Sequence, residues 1–317
     1  MKILITGGAG FIASHIADRL VELDYDVVIF DNLSSGKVEN INPKCKFYKG
    51  DITNYEAMKL VFDIERPEVV IHHAAQIDVQ TSLKNPAFDA QINIIGTINV
   101  LECCRETKVR KIIYPSSAAV YGNPKYLPVD ENHPVEPISF YGISKHTPCH
   151  YIKAYSELYN IKYTIFRYAN VYGPRQDNHG EGGVVSIFAN RLLRKETCYI
   201  YGDGKQTRDF IYVKDVANAN VLALDRGDNE IIDISSNKPV TINQLHKVMK
   251  EISKCSVAVE YKEARNGDIL HSYLSNEKAS GCLGWKDKHD IKSGLKETLN
   301  YYYNVLTEME VAAETRV

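Results

Sequence analysis

The spacing of apolar residues changes once along the chain. Over the first 170 residues, short β-branched runs alternate with amphipathic stretches of helical period. Strand–helix alternation of this kind predicts a parallel sheet with helices on both faces, which is a doubly wound α/β fold. The predicted strands cover 2–6, 26–30, 46–49, 69–73, 111–115 and 163–167. The predicted helices cover 11–23, 55–65, 89–106 and 141–160.

The regular alternation ends after residue 172. A polar, glycine-rich stretch at 173–183 precedes a predicted helix at 185–194. The elements predicted beyond it are strands at 209–213 and 231–234 and helices at 216–224, 242–253 and 291–303. We therefore expect one domain over 1–172, to which the chain returns at about 209–235. A smaller mixed α/β C-terminal lobe would comprise 173–208 and 236–305, followed by a frayed tail at 306–317.

Composition and charge narrow the range of partners. The 317 residues are 44% hydrophobic and 25% charged, as in an ordinary globular protein. A net charge of −2 and a pI of about 6.6 provide no field that would attract nucleic acid or an anionic membrane. No apolar run reaches the ~18–20 residues that span a bilayer, and the first residues lack the pattern of a signal peptide. We expect a cytoplasmic protein that binds neither nucleic acid nor membrane.

The cysteines and the adjacent histidines give no support for metal chemistry. Seven cysteines occur without a Cys-x-x-Cys pair, so we expect reduced, mostly buried thiols. His72 and His73 end a predicted strand, where neighbouring side chains point to opposite faces. Ligation of one ion by both is therefore not expected, and we predict no metal site.

A glycine-rich loop joins the first predicted strand to the first predicted helix. It contains Gly7 and Gly10 and leads into Phe11 and Ile12. Glycines allow a tight turn and let backbone N–H groups approach a pyrophosphate, which the helix N-terminus also attracts. Asp31 follows about 20 residues later, where a carboxylate can accept from ribose hydroxyls and would repel a 2′-phosphate. We predict a Rossmann-type dinucleotide-binding domain that prefers NAD to NADP.

Two further polar residues are candidates for the same site. Asp51, followed by Ile52, comes directly after the third strand, where its carboxylate could lie near an adenine amino group. A surface turn is nearly as good an explanation for Asp51. Asn93 lies in a predicted helix that otherwise has buried character, and a buried amide needs partners. For Asn93 a cofactor contact and a satisfied structural amide both stay open.

Tyr141 and Lys145 place a phenol and an ammonium group four residues apart on one helix face. A nearby fixed cation favours the phenolate and can bring its pKa from near 10 towards ~7, where general base catalysis is efficient. This spacing is common in a chain with 21 tyrosines and carries little weight alone. Ser116 and Ser117 follow a predicted strand at its carboxyl end, where ligands bind in such folds. Pro148, within the same helix, predicts a local kink.

Six short motifs follow one another along the chain. They are Thr6-Gly7-Gly8-Ala9-Gly10-Phe11-Ile12, Asp31-Asn32-Leu33-Ser34-Ser35-Gly36, His73-Ala74-Ala75, Ser116-Ser117-Ala118-Ala119-Val120-Tyr121-Gly122, Tyr141-Gly142-Ile143-Ser144-Lys145 and Arg167-Tyr168-Ala169-Asn170-Val171-Tyr172-Gly173-Pro174. With these motifs in this order, the chain resembles the extended short-chain dehydrogenases/reductases and, within them, the UDP-glucose (UDP-galactose) 4-epimerases. The resemblance extends from residue 2 to about 300. The resemblance implies an NAD-dependent 4-epimerase of UDP-hexoses that acts through a transient 4-keto intermediate.

The resemblance also implies roles for individual residues. Ser117, Tyr141 and Lys145 would form the catalytic triad, with Tyr141 as the base and Lys145 also holding the nicotinamide ribose. Ser117 and Tyr141 would contact the sugar, as would Asn170, and Tyr168 would lie near the nicotinamide. The residues expected to contact NAD are Gly7, Gly10, Phe11, Ile12, Asp31, Asn32, Ser35, Gly36, Asp51, Ile52, Ala74, Ala75, Gln76, Asn93, Ser116, Tyr141, Lys145 and Tyr168.

Four residues of the C-terminal lobe are candidates for binding the substrate. Arg208 and Arg265 match family positions that hold a diphosphate, whose geometry suits guanidinium groups. Without the family context, two solvated arginines would be the better explanation. Asp268 matches a carboxylate that takes the uridine ribose hydroxyls. Ser272 matches a position that walls the sugar pocket, where a small residue would also admit UDP-GlcNAc and UDP-GalNAc.

Ala118 and Ala119 distinguish branches of the family. Dehydratases of the family carry acidic residues there, and loss of water needs such a proton donor and acceptor. A dehydratase is therefore not expected. The alternatives are another nucleotide-sugar epimerase, a net oxidoreductase, and a non-catalytic NAD-binding regulator, against which the intact catalytic residues argue. The resemblance also suggests a homodimer that pairs the helices predicted over 89–106 and 141–160.

Overall fold

The structure, a computed structural model, describes residues 1–177, 183–264 and 269–314, with side chains up to residue 308. The strands are β1 (Lys2–Thr6), β2 (Asp26–Asp31), β3 (Lys46–Lys49), β4 (Val69–His72), β5 (Lys111–Ser117), β6 (Lys162–Tyr168), β7 (Asn170–Tyr172), β8 (Cys198–Tyr201), β9 (Thr207–Tyr212), β10 (Glu230–Ile234), β11 (Pro239–Thr241) and β12 (Val259–Lys262). The helices are α1 (Phe11–Glu22), α2 (Tyr55–Glu65), α3 (Val79–Lys84), α4 (Pro86–Ala90), α5 (Gly96–Thr107), α6 (Phe140–Tyr159), α7 (Val184–Leu193), α8 (Val213–Leu222), α9 (Ile242–Ser253), α10 (Glu277–Leu283) and α11 (Ile291–Glu314).

The central sheet is parallel and doubly wound. Within the described ranges it has seven strands, in the order β10-β6-β5-β4-β1-β2-β3, and every neighbouring pair is parallel. The chain winds outward from β1 in one direction and resumes at β4 in the other. The carboxyl ends of β1 and β4 therefore border the crevice where ligands bind in sheets of this kind. The predicted fold class is confirmed.

Helices cover both faces of the sheet because its strands are apolar on both sides. β1 and β4 are almost fully buried and contribute residues to a core on each face. α1 packs on α8 against one face, and α5 packs on α2 and α6 against the other. These layers hold the ends of the strands at fixed positions for the site.

The single regular helix predicted over 89–106 is wrong. The chain forms α4, then a π-helical turn at Gln91–Ile95, then α5. The π-turn contains the buried Asn93, whose carbonyl accepts from the Thr97 hydroxyl at 2.6 Å. Such turns insert an extra residue into a helix and are frequent at functional sites. Apolar periodicity does not reveal this turn because the side-chain contacts of Asn93 are tertiary.

A second, smaller lobe packs around its own core. β7, β9 and β11 form one small sheet and β8 pairs with β12, while α7, α9 and α11 pack together over them. Of the segment expected to return to the first domain, α8 and β10 do so. β9 instead pairs with β7 and β11.

The C-terminal helix is longer than predicted. α11 extends to Glu314, so most of the expected frayed tail at 306–317 is helical. Leu295 and Leu299 anchor the first part of α11 in the core, and the glutamate, methionine and alanine residues that follow are strong helix formers. In the part of the chain that the structure describes, no helix is both long and apolar enough to cross a membrane.

Candidate active site

The turn after β1 requires glycine. Gly7 has φ +70°, and a Cβ at this position would lie 2.6 Å from the Ala74 nitrogen. The Gly7 N–H donates to the Phe30 carbonyl at 2.9 Å, and the Gly10 N–H donates to the Gly7 carbonyl at 3.0 Å. The loop backbone therefore packs directly against the chain that leaves β4. Phe11 then begins α1, so the free N–H groups of that helix lie at the crevice.

Asp31 connects the glycine loop to the end of β2. One of its carboxylate oxygens accepts from the Ala9 N–H at 3.0 Å, and the other accepts from the Leu33 N–H at 2.7 Å. Gly36 packs on Ala9, where a Cβ would lie 2.8 Å from the alanine Cβ. Each carboxylate oxygen can accept more than one hydrogen bond, so Asp31 retains capacity for a ligand hydroxyl.

Asp51 lies beside this loop. One carboxylate oxygen accepts from the Thr53 N–H and hydroxyl at 2.8 and 2.7 Å, which is the turn that the sequence left open. The other accepts from the Asn32 side chain at 2.7 Å. Burial raises the pKa of Asp51, but these hydrogen bonds outweigh it, so the pKa is lowered and the carboxylate stays charged. The neighbouring Ile52 is buried and packs against Gly96.

Asn93 has a complete set of partners. Its amide nitrogen donates to the Gln76 carbonyl at 2.9 Å and to the Ser144 hydroxyl at 2.9 Å. Its oxygen accepts from the Gln76 N–H at 2.8 Å. The Gln76 side chain donates to the buried Asp89 carboxylate at 2.7 Å. Asn93 therefore joins the loop after β4 to α6. These bonds are sufficient to explain why an amide is buried at this position.

The proposed catalytic residues come from β5 and α6. The Ser117 hydroxyl, at the carboxyl end of β5, lies close enough to the Tyr141 phenol, in the first turn of α6, to lower the pKa of that phenol. The Ser116 hydroxyl donates to the Lys145 carbonyl at 3.0 Å and joins the two elements. α6 begins where it does because the Ser139 hydroxyl accepts from the Gly142 N–H at 3.0 Å. The cap of α6 and this contact between β5 and α6 thus bring Ser117 and Tyr141 together.

The charges at this cluster differ from the expectation in one respect. Burial lowers the pKa of Lys145 to about 8, and its ammonium group lies 4.5 Å from the centre of the Tyr114 ring. Lys145 therefore stays largely protonated at neutral pH. Burial raises the pKa of Tyr141, although the neighbouring Ser117 side chain lowers it in part. The expected lowering of the phenol pKa is wrong for the protein without ligands, because desolvation exceeds the effect of nearby groups.

Tyr168 and His73 close the inner wall of the crevice. Their ring centres lie 6.1 Å apart, and the Tyr168 hydroxyl accepts from the Asn220 side chain at 2.8 Å. Burial and, to a smaller extent, the charge of Lys145 together lower the pKa of His73 to about 3. His73 is therefore neutral at physiological pH. Asn220 was not a candidate in the sequence because its position on α8 follows from the packing of that helix on α1.

The predicted substrate residues divide into three groups. Asn170 and Arg208 line one cavity of about 570 Å³ between β7, α7, β8 and β9. The Arg208 guanidinium donates to the carbonyls of Thr207 and Ile269 at 2.9 and 2.6 Å. The Ser272 N–H donates to the Thr207 carbonyl at 3.2 Å, but Ser272 does not line this cavity. Arg265 and Asp268 lie outside the described residues.

The same cavity contains residues that the sequence reasoning did not select. Arg191 on α7 lies 4.6 Å from the centre of the Tyr199 ring on β8, and both line the cavity with Tyr201. Tyr199 and Tyr201 alternate with the buried Ile200 along a short strand. This alternation of tyrosines with Ile200 can be seen in the sequence. It predicts an exposed strand face but does not indicate that a ligand binds there.

Fold and site together define the class of this protein. A doubly wound parallel sheet, a glycine turn after β1, and a serine, tyrosine and lysine at the end of β5 are the parts of a dinucleotide-dependent short-chain dehydrogenase/reductase. The model of the NAD dependent epimerase/dehydratase family matches residues 3–235, and the chain belongs to this family. The predicted family resemblance is confirmed, and with it the assignment to NAD-dependent enzymes.

Relatives and solved structures resemble nearly the whole chain. A UDP-glucose 4-epimerase of Thermotoga maritima, solved with UDP-glucose, is 47% identical with a TM-score of 0.94 and covers 96% of this chain and 100% of its own. A UDP-N-acetylglucosamine 4-epimerase of Methanobrevibacter ruminantium, solved with UDP-N-acetylmuramic acid, is 34% identical with a TM-score of 0.91, over 96% and 98%. A UDP-glucose 4-epimerase of Mycolicibacterium smegmatis is 38% identical over 311 residues, or 96% of this chain and 99% of its own.

Proposed function

We propose that this protein interconverts UDP-glucose and UDP-galactose by NAD-dependent 4-epimerisation through a transient 4-keto sugar. The observation that carries the proposal is the placement of Ser117, at the carboxyl end of β5, beside Tyr141 of α6, with the buried, charged Lys145 one helical turn further along that helix. The similar proteins of Thermotoga maritima and Mycolicibacterium smegmatis support the substrate class.

The residues of the crevice suit NAD. A Cβ at Gly7 would clash with Ala74, so only glycine fits the turn that brings the loop after β1 and the N-terminus of α1 to the crevice, where free N–H groups can bind a pyrophosphate. Asp31 offers a carboxylate for the ribose hydroxyls, and Lys145 and Tyr141 would hold the nicotinamide ribose. When bound, NAD supplies the acceptor and then the donor of the hydride at C4 of the sugar.

Tyr141 would take the proton from the 4-hydroxyl group, while Ser117 donates a hydrogen bond to that oxygen. The raised pKa of Tyr141 means that the phenolate must be favoured by the bound complex, and the protonated Lys145 is the cation within the same helix turn that can do so. After the keto sugar has turned in the site, Tyr141 returns the proton to the oxygen. The configuration at C4 is then inverted without net oxidation.

Two alanines favour epimerisation over dehydration within this family. Ala118 and Ala119 follow Ser117 in a short 3₁₀ turn, and the Ala119 N–H donates to the Ser117 hydroxyl at 3.2 Å. Neither side chain can donate or accept a proton, as elimination of water from the sugar requires. The 4-keto sugar would therefore be reduced again and not dehydrated.

We assign the nucleotide of the substrate to the cavity lined by Asn170 and Arg208. Arg208 would contact the diphosphate, together with Arg265, and Asp268 would contact the uridine ribose. Ser272 is small, and the similar UDP-N-acetylglucosamine 4-epimerase supports a second activity on UDP-GlcNAc and UDP-GalNAc. The division of the chain into an NAD-binding domain and a substrate lobe, with the boundaries predicted above, is part of the same proposal.

We also propose a homodimer, in the cytoplasm, formed through the outer helices of the NAD-binding domain. Ile143, Tyr151 and Leu158 on α6 and Ile95 before α5 are apolar and between 41% and 72% exposed. Their spacing on α6 places them on one stripe of that helix. Pairing of these helices between two copies would remove this apolar surface from water.

One experiment tests the proposed activity. Purified protein is incubated with UDP-galactose, and products are separated by chromatography. We expect UDP-glucose without added reductant and without accumulation of NADH. A 4-keto-6-deoxy product would indicate a dehydratase, NADH in stoichiometric yield would indicate a net oxidoreductase, and unchanged UDP-galactose would support a regulator. Repeating the assay with UDP-GlcNAc tests the second activity.

A further inference from the structure

A buried carboxyl group in the substrate lobe has no step in the proposed reaction. Asp209, on β9, is only 1% exposed. One of its oxygens accepts from the Ser236 N–H at 2.9 Å and from the Ser236 hydroxyl at 2.7 Å. The other oxygen accepts from the N–H groups of Asn237 and Leu274, both at 3.2 Å. Both oxygens therefore serve backbone donors, which an amide of the same size could not satisfy together.

The hydrogen bonds of Asp209 offset the cost of its burial. Burial raises the pKa of Asp209, and the hydrogen bonds that it accepts lower it in part, because they favour the charged form. A buried carboxyl group costs free energy unless its oxygens are hydrogen-bonded, so displacement of any of these donors is unfavourable. The carboxyl group therefore fixes the positions of its donors, one of which is the Leu274 N–H.

Leu274 ends a segment that lies along β9 and is called the wall segment below, residues 269–274. The Thr207 N–H donates to a carbonyl of this segment at 2.9 Å, and the Ser272 N–H donates to the Thr207 carbonyl at 3.2 Å. The next contact is the bond from the Leu274 N–H to the Asp209 carboxylate, two residues further along each chain. Thr207 and Asp209 thus hold the segment at Ser272 and just beyond it.

The main chain of Asp209 holds a second residue of the proposed sugar pocket. Its carbonyl accepts from the Asn170 side-chain amide at 3.1 Å. β7, which carries Asn170, is parallel to β9, and Asn170 lies opposite Phe210 in the register of the two strands. Asp209 therefore connects two residues that belong to the proposed sugar pocket, Asn170 on β7 and Ser272 on the wall segment.

We propose that Asp209 is a positioning residue of the sugar pocket, which fixes the wall segment through its carboxylate and orients Asn170 through its carbonyl. This role rests on the proposed function, because that function identifies the pocket as a site for the sugar. Arg208 holds the opposite end of the wall segment, where its guanidinium donates to the Ile269 carbonyl at 2.6 Å. Loss of the carboxylate should therefore release the end nearer Ser272 and leave the end at Arg208 in place.

A second buried aspartate provides a matched comparison. Asp215, on α8, is also 1% exposed, and its carboxylate accepts from the His289 N–H at 3.1 Å and contacts the His289 ring nitrogen at 3.0 Å. Its carbonyl accepts from the Trp285 indole N–H at 2.9 Å. These contacts join α8 to residues 285–289, which lie outside the proposed site. Asp215 therefore has the burial and the backbone partners of Asp209 without a connection to the sugar pocket.

Kinetics and UDP binding of the full-length, NAD-loaded protein together test the proposal. In Asp209→Ala, water can enter and bond to the buried N–H groups, so the variant should fold, which circular dichroism checks. We expect kcat/KM for UDP-galactose to fall about tenfold, because the wall segment loses a hydrogen bond to a charged group. The dissociation constant of UDP, measured by calorimetry, should change by less than about twofold, since UDP lacks the sugar. The NAD content should stay the same.

The conservative variant Asp209→Asn should restore most of the activity. Its amide nitrogen can donate to the Ser236 hydroxyl, while its oxygen still accepts from the N–H groups of Asn237 and Leu274. We expect kcat/KM within about threefold of the wild type. Asp209→Ser keeps one acceptor and is a second variant, with the pattern of Asp209→Ala and a smaller loss. Asp215→Ala should lower the unfolding temperature and leave kcat/KM and UDP affinity unchanged.

Four results would overturn the positioning role. They are equal losses of UDP affinity and kcat/KM in Asp209→Ala, a loss of kcat/KM in Asp209→Asn as large as in Asp209→Ala, an equal loss of kcat/KM in Asp215→Ala, and an unchanged kcat/KM in Asp209→Ala. If Asp209→Ala does not fold, Asp209→Ser takes its place in each comparison. Failure of the proposed function would look different, because the wild type itself would then leave UDP-galactose unconverted.

Discussion

The cofactor side and the substrate side of the proposed active site are built in different ways. On the cofactor side, backbone groups make most of the contacts: Gly7 bonds to Phe30, and Asp31 accepts from two N–H groups of nearby loops. On the substrate side, residues from five helices and strands line a cavity of about 570 Å³. The cofactor side therefore depends on the shape of the chain near β1, and the substrate side depends on side chains brought together from distant segments.

Tyr141→Phe should have the largest effect, because Tyr141 serves both sides. Loss of the proposed base should lower kcat by about 10²–10⁴-fold, while the protein keeps most of its NAD because Lys145 and the loop after β1 would still hold the cofactor. The conversion rate of UDP-galactose and the absorbance of released NAD measure the two quantities. Tyr303→Phe, at a 61% exposed position on α11, is the matched control. Full activity of Tyr141→Phe would exclude it as the base.

Gly7→Ala should damage the cofactor side. The new Cβ would lie 2.6 Å from the Ala74 nitrogen at a residue with φ +70°, and that conformation alone costs about 1–2 kcal/mol for a residue with a Cβ. We expect a lower unfolding temperature and protein purified with little NAD. Gly281→Ala, where no atom lies within 4 Å of the new Cβ in α10, should be neutral or stabilising by about 0.5–1 kcal/mol. Retention of NAD by Gly7→Ala would contradict the assignment of this turn.

Arg208→Ala should affect the substrate side alone. Loss of a charged donor to the diphosphate should raise KM for UDP-galactose by about 10–100-fold, with a smaller change in kcat and normal NAD content. The exposed Arg194, at the end of α7 in the same lobe, provides the control variant Arg194→Ala. If the NAD content fell and KM did not change, Arg208 would belong to the cofactor side of the site and not to the substrate side.

Glu65→Gln should change stability without changing catalysis. Burial raises the pKa of Glu65, but hydrogen bonds from Lys2, Lys46 and Tyr48 lower it to about 2, from an ordinary value of 4.5. A lowered carboxyl pKa stabilises the folded state above pH 4.5, and this contribution is lost as the pH falls towards 2. The variant should lose roughly 1–2 kcal/mol at pH 7 and show a flatter pH dependence below 4.5.

Urea unfolding at several pH values measures this effect. Glu56→Gln, at an exposed position in the first turn of the same helix, should leave both stability and its pH dependence nearly unchanged. A steep acid dependence that persisted in Glu65→Gln would show that other carboxylates produce it.

Much of the cofactor side could be predicted from the sequence. Gly7 follows β1 directly, and Asp31 and Ser117 are the last residues of β2 and β5, so the order of strands along the chain was enough to place them at one edge of the sheet. Asn93 was singled out, but its π-turn was not, because that turn depends on contacts with Gln76 and Ser144. The sequence also led to the wrong direction for the shift of the Tyr141 pKa, because the spacing of residues along a helix does not show how deeply a side chain is buried.

The sequence by itself determined the parallel sheet, the glycine turn and the residues at the ends of the strands, because apolar periodicity and turn chemistry are local properties. Only the tertiary structure decided how the phenol of Tyr141 is desolvated and which side chains share a cavity with Arg208. These properties depend on distances between side chains and on exclusion of water, and packing alone sets both.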